Sequence, residues 1–405
     1  MGIDGTVDYS GYTRAQLDDA LTRIDGTAYP LNYGHLVAER DRRHAEEQSA
    51  AAARAEAQGA AGIVRHRPEF KAEPREYFRI WIVNLALTIV TLGIYSAWAK
   101  VRKLRYFYSC TTLAGSAFGY HGDPARILRG RIIAAALAAA YFGAGRISPR
   151  GTLVMLAVIG LLWPWLLVKS RMFTMRVTSW RGLRFDFVPD YLGAYRVLLG
   201  WGFVGILTFG LLMPRFVCER YRFVLTRTRF GASAFDCEAR ASIFYRTMFG
   251  TMGIGVVLGF AFLLVMLAAG AASHAAGASP AVVRVMSTGV GVVFYAVFFS
   301  VIHGYTHARN LNEVFETTTL GPHRFVSWLS AGDLIGIYLS NLFLIVVTLG
   351  LYTPWAQIRL ARYRLQSIEL EAHGSLEEFT AAAAASVPAA AGEEIASFFD
   401  LDFGF

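Results

Sequence analysis

Long apolar stretches separated by short basic, alternating ones set the pattern of this chain. Residues 80–99, 151–168, 197–214, 247–283, 285–302 and 334–358 contain no Asp, Glu, Lys or Arg. Each is about as long as a helix needs to cross hydrocarbon, and 247–300 has room for two helices. Residues 127–145, rich in Ala, form a seventh span if Arg129 and Arg131 snorkel to the interface. Between the spans, period-two alternation around a glycine predicts β-hairpins at 106–121 around Gly115, 172–188 around Gly182 and 223–236 around Gly231. The clearest is R-G-L-R-F-D-F at 181–187. G-P-H-R-F at 321–325 is related, and P-E-F-K-A-E at 68–73 reads as a reduced version.

Two spans share a motif. N-L-A-L-T-I-V-T-L-G-I-Y-S-A-W-A-K-V-R-K-L-R-Y (84–106) matches N-L-F-L-I-V-V-T-L-G-L-Y-T-P-W-A-Q-I-R-L-A-R-Y (341–363) at an offset of 257 residues. At an offset of 117, Thr91, Gly93, Arg105, Thr111 and Phe118 fall on Thr208, Gly210, Arg222, Thr228 and Phe235. The middle copy lacks the Tyr and Trp but holds Pro214 near the place of Pro354.

The fold expected from these patterns is an all-α multi-pass membrane protein. It has about seven hydrophobic spans in an internally repeated arrangement, with short β-hairpins between them. The predicted organisation is a polar helical extension (1–60), a first membrane repeat (61–194), a second (195–330), a third, partial repeat (331–370) and an acidic, Ala-rich tail (371–405). In the extension, Thr13 and Gln16 have capping-box spacing ahead of Leu17, Leu21 and Ile24. A second helix from Pro30 carries Tyr33, Leu36 and Val37. A charged, Ala-rich linker follows over 45–60.

Composition agrees with a membrane solvent: 55% hydrophobic and 17% charged residues, with a mean hydropathy of +0.39. The net charge of +9 conceals an asymmetry. Residues 61–365 hold 33 Lys and Arg against 12 Asp and Glu, a net of +21, and no Lys or Arg follows residue 365. These cations flank apolar spans, so anionic headgroups explain them better than nucleic acid does.

Charge also divides two topologies. Seven crossings spread the cations almost equally over both sides. If the motif spans dip and return at Gly93, Gly210 and Gly350, nearly every basic hairpin is cytoplasmic and only Arg146, Arg150 and Arg284 face out. The two place Ser116 and Ser233 on opposite sides or on one.

Chemistry is sparse. Cys110, Cys218 and Cys237 are too scattered for a zinc site or an obvious disulfide framework. No removable signal peptide is evident in the first sixty residues, so the first span is expected to direct insertion. His303 and His307 have metal-ligand spacing but no third ligand nearby. No nucleophile elbow, phosphate loop or acidic pair within a span is present, so neither an enzyme nor a cofactor nor a proton-driven carrier is expected. The candidate residues are those of the motif: Asn84, Thr91, Gly93, Tyr95, Trp98 and Arg102 in the first copy, Asn341, Thr348, Gly350, Tyr352, Trp355 and Arg359 in the last. The asparagines and threonines would line a polar path or join helices, and the aromatic and arginine side chains would form an interfacial belt or a headgroup site.

The T-L-G-[IL]-Y-x-x-W-A-x-[VI]-R signature, its two occurrences, the R-G-L-R-F hairpin and the closing E-E-I-A-S-F-F-D-L-D resemble the YjgN-like bacterial inner-membrane proteins. The resemblance runs from Phe70 to about Phe405 and implies an inner-membrane location without assigning catalytic residues. The expected activity is binding or moving a small or lipidic solute. The alternative is a non-transporting scaffold recruiting partners through basic hairpins and tails, or docking its tail on its own basic core. The N-terminus is expected in the cytoplasm, and the oligomeric state is left open.

Overall fold

A computed structural model describes residues 4–43 apart from 6, 10 and 13, residue 45, and residues 63–385. Thr13, most of the 45–60 linker and the tail from 386 on lie outside the described residues. The chain divides into two units, 1–64 with 373–375, and 65–372 with 376–405. In the first, helix α1 (Arg14–Arg23) and helix α2 (30–43) bury Leu17 and Leu36 together with Tyr9. The Asp4 carboxylate accepts from the backbone N–H groups of Leu31 and Asn32, which satisfies two orphan donors at the start of α2.

The second unit is organised by strands. They are β1 (Val64–His66), β2 (Glu69–Phe70), β3 (Thr111–Leu113), β4 (Ser116–Tyr120), β5 (Thr178–Trp180), β6 (Leu183–Phe187), β7 (Thr228–Phe230), β8 (Ser233–Cys237), β9 (Thr318–Leu320), β10 (His323–Ser327) and β11 (Ile368–Ala372). The hairpins occupy the stretches that alternation marked. Their turns carry the required backbone: positive φ at both Ala114 and Gly115 and at both Arg181 and Gly182, as a type I′ turn needs, and at Gly231 and Gly321 as the first residue of a type II′ turn.

All eleven strands join in one sheet, ordered β1-β11-β10-β9-β8-β7-β6-β5-β4-β3-β2. Its two edge strands, β1 and β2, are consecutive in the chain and separated only by Arg67 and Pro68, so the sheet curls round until one short segment serves both edges. Arg65 pairs with Glu371 at 2.9 Å and Arg67 with Glu369 at 3.0 Å along this closure. The all-α expectation is therefore overturned. Each hairpin has only a few residues per strand, and its partners lie on other hairpins, such as β4 on β5 and β6 on β7.

The joints between helix and strand repeat one device. Thr111, Thr178, Thr228 and Thr318 each open a strand, and each Oγ1 donates to the carbonyl four residues earlier, at 2.8, 2.9, 2.8 and 2.5 Å. This bond satisfies a carbonyl at the end of the preceding helix. Two residues on, Leu113, Trp180, Phe230 and Leu320 point to the sheet's apolar side. There they meet Phe118, Phe185, Phe235 and Phe325, the middle residues of β4, β6, β8 and β10. Phe185–Phe230 and Phe235–Phe325 ring centroids are 5.0 and 6.2 Å apart. Helix α14 (Leu376–Ala385) inserts Leu376 and Phe379 into this cluster, with Phe379 edge-on to His323 at 4.5 Å.

Every helical excursion leaves the sheet and returns to it. Two are long: α5 (Pro124–Ile147) with α6 (Pro149–Arg176), and α10 (Ala241–Ala275) with α11 (Pro280–Glu316). Among the described residues these four helices are long and apolar enough to cross a membrane. Three are short: α3 (Pro74–Val90) with α4 (Ser96–Ser109); α7 (Tyr191–Tyr195), a π-helical turn and α8 (Gly202–Leu207) with α9 (Met213–Thr226); and α12 (Ala331–Val347) with α13 (Thr353–Gln366). About seven spans were expected, and this too is corrected. The motif stretches are long only when counted through the T-L-G and T-F-G turns, where the chain reverses. The apolar arm before the first and last of these turns has 17 residues, about 25 Å of helix against a hydrocarbon core of about 30 Å. Ser116 and Ser233 lie in one sheet, and the chain reverses at Gly93, Gly210 and Gly350, which does not fit seven straight spans.

The three reversals share their backbone. Leu92, Phe209 and Leu349 have φ of 50°, 52° and 51°, and the following glycines 91°, 87° and 91°. Gly93 donates to Thr88 O, Gly210 to Gly205 O and Gly350 to Ile345 O. Thr91, Thr208 and Thr348 take the backbone N–H of the residue four positions on, at 2.9, 3.2 and 3.0 Å. A side chain at Gly350 meets no neighbour within 4 Å, so only its φ resists one. Gly350→Ala is expected to lower stability by about 1–2 kcal/mol, the cost of a left-handed residue with a Cβ. Gly160→Ala, in the interior of α6 and equally free of neighbours, is expected to raise it by about 0.5–1 kcal/mol. Thermal unfolding in detergent checks both.

Candidate functional site

The last and first motif copies meet through α13 and α3. Tyr77 donates to Gln357 Oε1 at 2.8 Å, and the Phe78 and Trp355 rings are 5.1 Å apart. Within each copy the aromatic pair stacks, Tyr95 on Trp98 at 6.2 Å and Tyr352 on Trp355 at 6.1 Å. Thr91 and Thr348 spend their hydroxyls on the turn, donating to Leu87 O and Leu344 O at 2.7 and 2.6 Å. They hold the reversal.

The two copies part company at their asparagines. Asn84, buried in α3, accepts from Arg102 Nη1 at 3.5 Å, and Arg102 also donates to the Tyr95 hydroxyl at 3.3 Å. The matching Arg359 turns instead to Ser340 Oγ at 2.8 Å. Ser340 stands where the first copy has Val83, which offers no acceptor. Asn341, 6% exposed, thus keeps one bond, from Nδ2 to Ala356 O at 3.3 Å, and its Oδ1 is buried without a hydrogen-bond partner. A buried orphan acceptor costs roughly 1–3 kcal/mol, so something is expected to satisfy it.

Asn341 lines a cavity of about 660 Å³ between α11, α12 and α13, within the range that takes a small ligand. Apolar groups form most of its wall, among them Phe299, Leu342, Ile345 and Leu360. Polar groups are few: Ser300, His303, Tyr338, Asn341, Thr353 and Gln357. At the end toward the sheet, the His303 ring lies 5.2 Å from Tyr338 and 5.3 Å from His307, and the Tyr338 hydroxyl accepts from Arg364 Nη2 at 2.7 Å. The His303 and His307 rings stack face to face at 21°, and among the described residues no group of three or more potential ligands gathers for a metal. Tyr338 and Arg364 escape sequence reasoning because neither belongs to the shared motif. The Val83-to-Ser340 difference was visible, and it is what frees Asn341.

A curled antiparallel sheet bearing paired helices, four of them long and apolar enough to span a bilayer, defines a membrane protein with a large β-structure. Residues 65–398 match the family described as bacterial protein of unknown function, DUF898, and the chain belongs to it. It is 27% identical over 205 residues to the inner membrane protein YjgN of Salmonella typhimurium, covering 49% of this chain and 47% of that one. It is 40% identical over 58 residues to the inner membrane protein YjgN of Escherichia coli K12, covering 14% of this chain and 15% of the relative. The chain thus spans at most about half the length of these curated relatives. No solved structure matches. The apolar helices and the inner-membrane relatives place the chain in the bacterial inner membrane.

Proposed function

We propose that this protein binds an amphiphilic, lipidic ligand in the cavity between α11, α12 and α13. The observation that carries the reading is the unsatisfied Oδ1 of Asn341 in a mostly apolar wall with few polar groups. Membrane cavities lined this way take molecules with one polar end, because an apolar solute would leave the acceptor unpaired. The reading includes a multi-pass arrangement in which two long helix pairs cross and come back, built on an internal duplication of the motif. It puts the sheet and the N-terminus in the cytoplasm, since the cations gather on the sheet's side and Arg146, Arg150 and Arg284 lie at the far ends of the long pairs. Binding is the claim. Transport would add a second, outward-facing state.

Purification in mild detergent, followed by mass spectrometry of retained lipids, tests it. Wild type is expected to keep one lipid per chain. Asn341→Leu and Ala296→Trp, which fills the cavity wall, are expected to lower retention at least fivefold while the melting temperature holds. Equal retention by all three proteins would sink the reading.

A further inference from the structure

The cavity has two unlike ends. At the sheet end of α11, α12 and α13, His303, His307, Tyr338 and Arg364 lie in one chain of contacts, in which His303 and Tyr338 line the cavity and His307 and Arg364 stand directly beyond them. Toward the turn, one and two helical turns further along α12, are Leu342 and Ile345. Arg364 follows the lining residue Leu360 by one helical turn on α13. Its neighbours leave it incompletely satisfied. Its Nη2 donates to the Tyr338 hydroxyl, and its Nε is buried without a hydrogen-bond partner, with no carboxylate paired to it among the described residues. The buried His307 Nε2 and Asn310 Oδ1, six and three residues before Glu313 on α11, also lack partners. A part-buried guanidinium with no counterion, within reach of the unpaired His307 imidazole, lacks the anion that would offset the cost of its burial. Arginine also fits planar, two-point recognition of phosphate oxygens.

Resting on the lipid-binding reading, we infer that the cavity selects a lipid with an anionic phosphate headgroup, held at the sheet end by Arg364, which Tyr338 positions, with its acyl chain running past Asn341 toward Leu342 and Ile345. The position agrees with the direction of the helices. The polar end lies where α11 and α13 approach the sheet and the apolar end where α12 nears its turn, so the headgroup sits at the interface and the chain in hydrocarbon. The motif arginine on this helix, Arg359, is held by Ser340 and is not available for the headgroup.

The test reconstitutes the full-length protein in nanodiscs of phosphatidylcholine with one part in ten phosphatidylglycerol. It measures by native mass spectrometry which lipid survives detergent stripping. Wild type is expected to retain phosphatidylglycerol over phosphatidylcholine about tenfold beyond the bulk ratio. Arg364→Gln is expected to lose that preference while still holding one lipid, and Arg364→Lys to keep most of it. Tyr338→Phe should reduce it about threefold by freeing the guanidinium. Arg284→Gln, at the outer end of α11, should leave it unchanged and controls for charge at the bilayer surface. If Arg364→Gln retains lipid with wild-type preference, the headgroup assignment fails while lipid binding stands. If no protein retains lipid, the binding reading itself fails. Added inorganic phosphate at millimolar concentration should not displace the lipid. Displacement would overturn the lipid source in favour of free phosphate. Should Arg364→Gln not fold, the threefold reduction in Tyr338→Phe with the fold intact supports the assignment, and wild-type preference there overturns it.

Discussion

Phe187→Ala is expected to destabilise the protein by about 3–5 kcal/mol, because the ring is wholly enclosed and the site cannot collapse around its loss. Phe187 is 0% exposed at the end of β6, where the sheet meets the helices. It packs with Val168 and Met172 from α6, Ala194 from α7 and Phe223 from α9, the last ring 6.3 Å away. One side chain therefore ties a long helix pair, a short one and the sheet. Unfolding followed in detergent by tryptophan fluorescence should show the full loss. Phe209→Ala gives the contrast. That ring sits at a turn and is fully exposed in the isolated chain, so detergent stability should change by less than about 0.5 kcal/mol, as at other unburied positions. A large loss at Phe209 with none at Phe187 would contradict the placement of both.

Gly304→Leu comes second, and it separates stability from binding. A Cβ on Gly304 would lie 2.7 Å from Ile335 Cγ1 and 3.1 Å from Ile335 N, where α11 crosses α12. Backbone cannot yield as a side-chain tip does, so the helices must part, at a cost of roughly 1–3 kcal/mol. Parting also widens the cavity, whose wall these two helices share. Gly336→Leu, next to Ile335 in sequence but with nothing within 4 Å of its Cβ, should be tolerated. The expected result is lower melting temperature and lost lipid retention for Gly304→Leu, with neither change for Gly336→Leu. Equal behaviour of the two would show that α11 and α12 do not meet at Gly304.

Local chemistry was legible in the sequence, and the assembly of its parts was not. Ala114-Gly115, Arg181-Gly182, Gly231 and Gly321 announced hairpins because a glycine accepts the φ values that each turn requires. The curled sheet was hidden because a three-residue strand such as β5 says nothing about β4, some sixty residues earlier, that pairs with it. Span counting failed for a different reason. Hydropathy registers apolar residues whether the chain runs straight through them or reverses at Leu349 and Gly350, and only the conflict with the basic residues revealed the problem. The candidate site was half legible. Asn341 was marked by the motif, but the motif marked Asn84 equally. The difference between them turned on Arg359 choosing Ser340, a contact made across the α12–α13 pair. Tyr338, His303 and Arg364 meet only after three helices have packed.

The strand that finishes the sheet is made about three hundred residues after the strand it must lie beside, as the 302-residue separation of Arg67 and Glu369 shows. At bacterial synthesis rates of about 5–20 residues per second, β1 waits on the order of 15–60 s for its neighbour. Each helix pair can enter the membrane meanwhile, since its partner follows directly. The growing sheet carries an open hydrogen-bonding edge throughout, a template for pairing with other chains. Ribosomes stalled before residue 368 should therefore yield inserted but aggregation-prone chains, and those released beyond residue 372 should not.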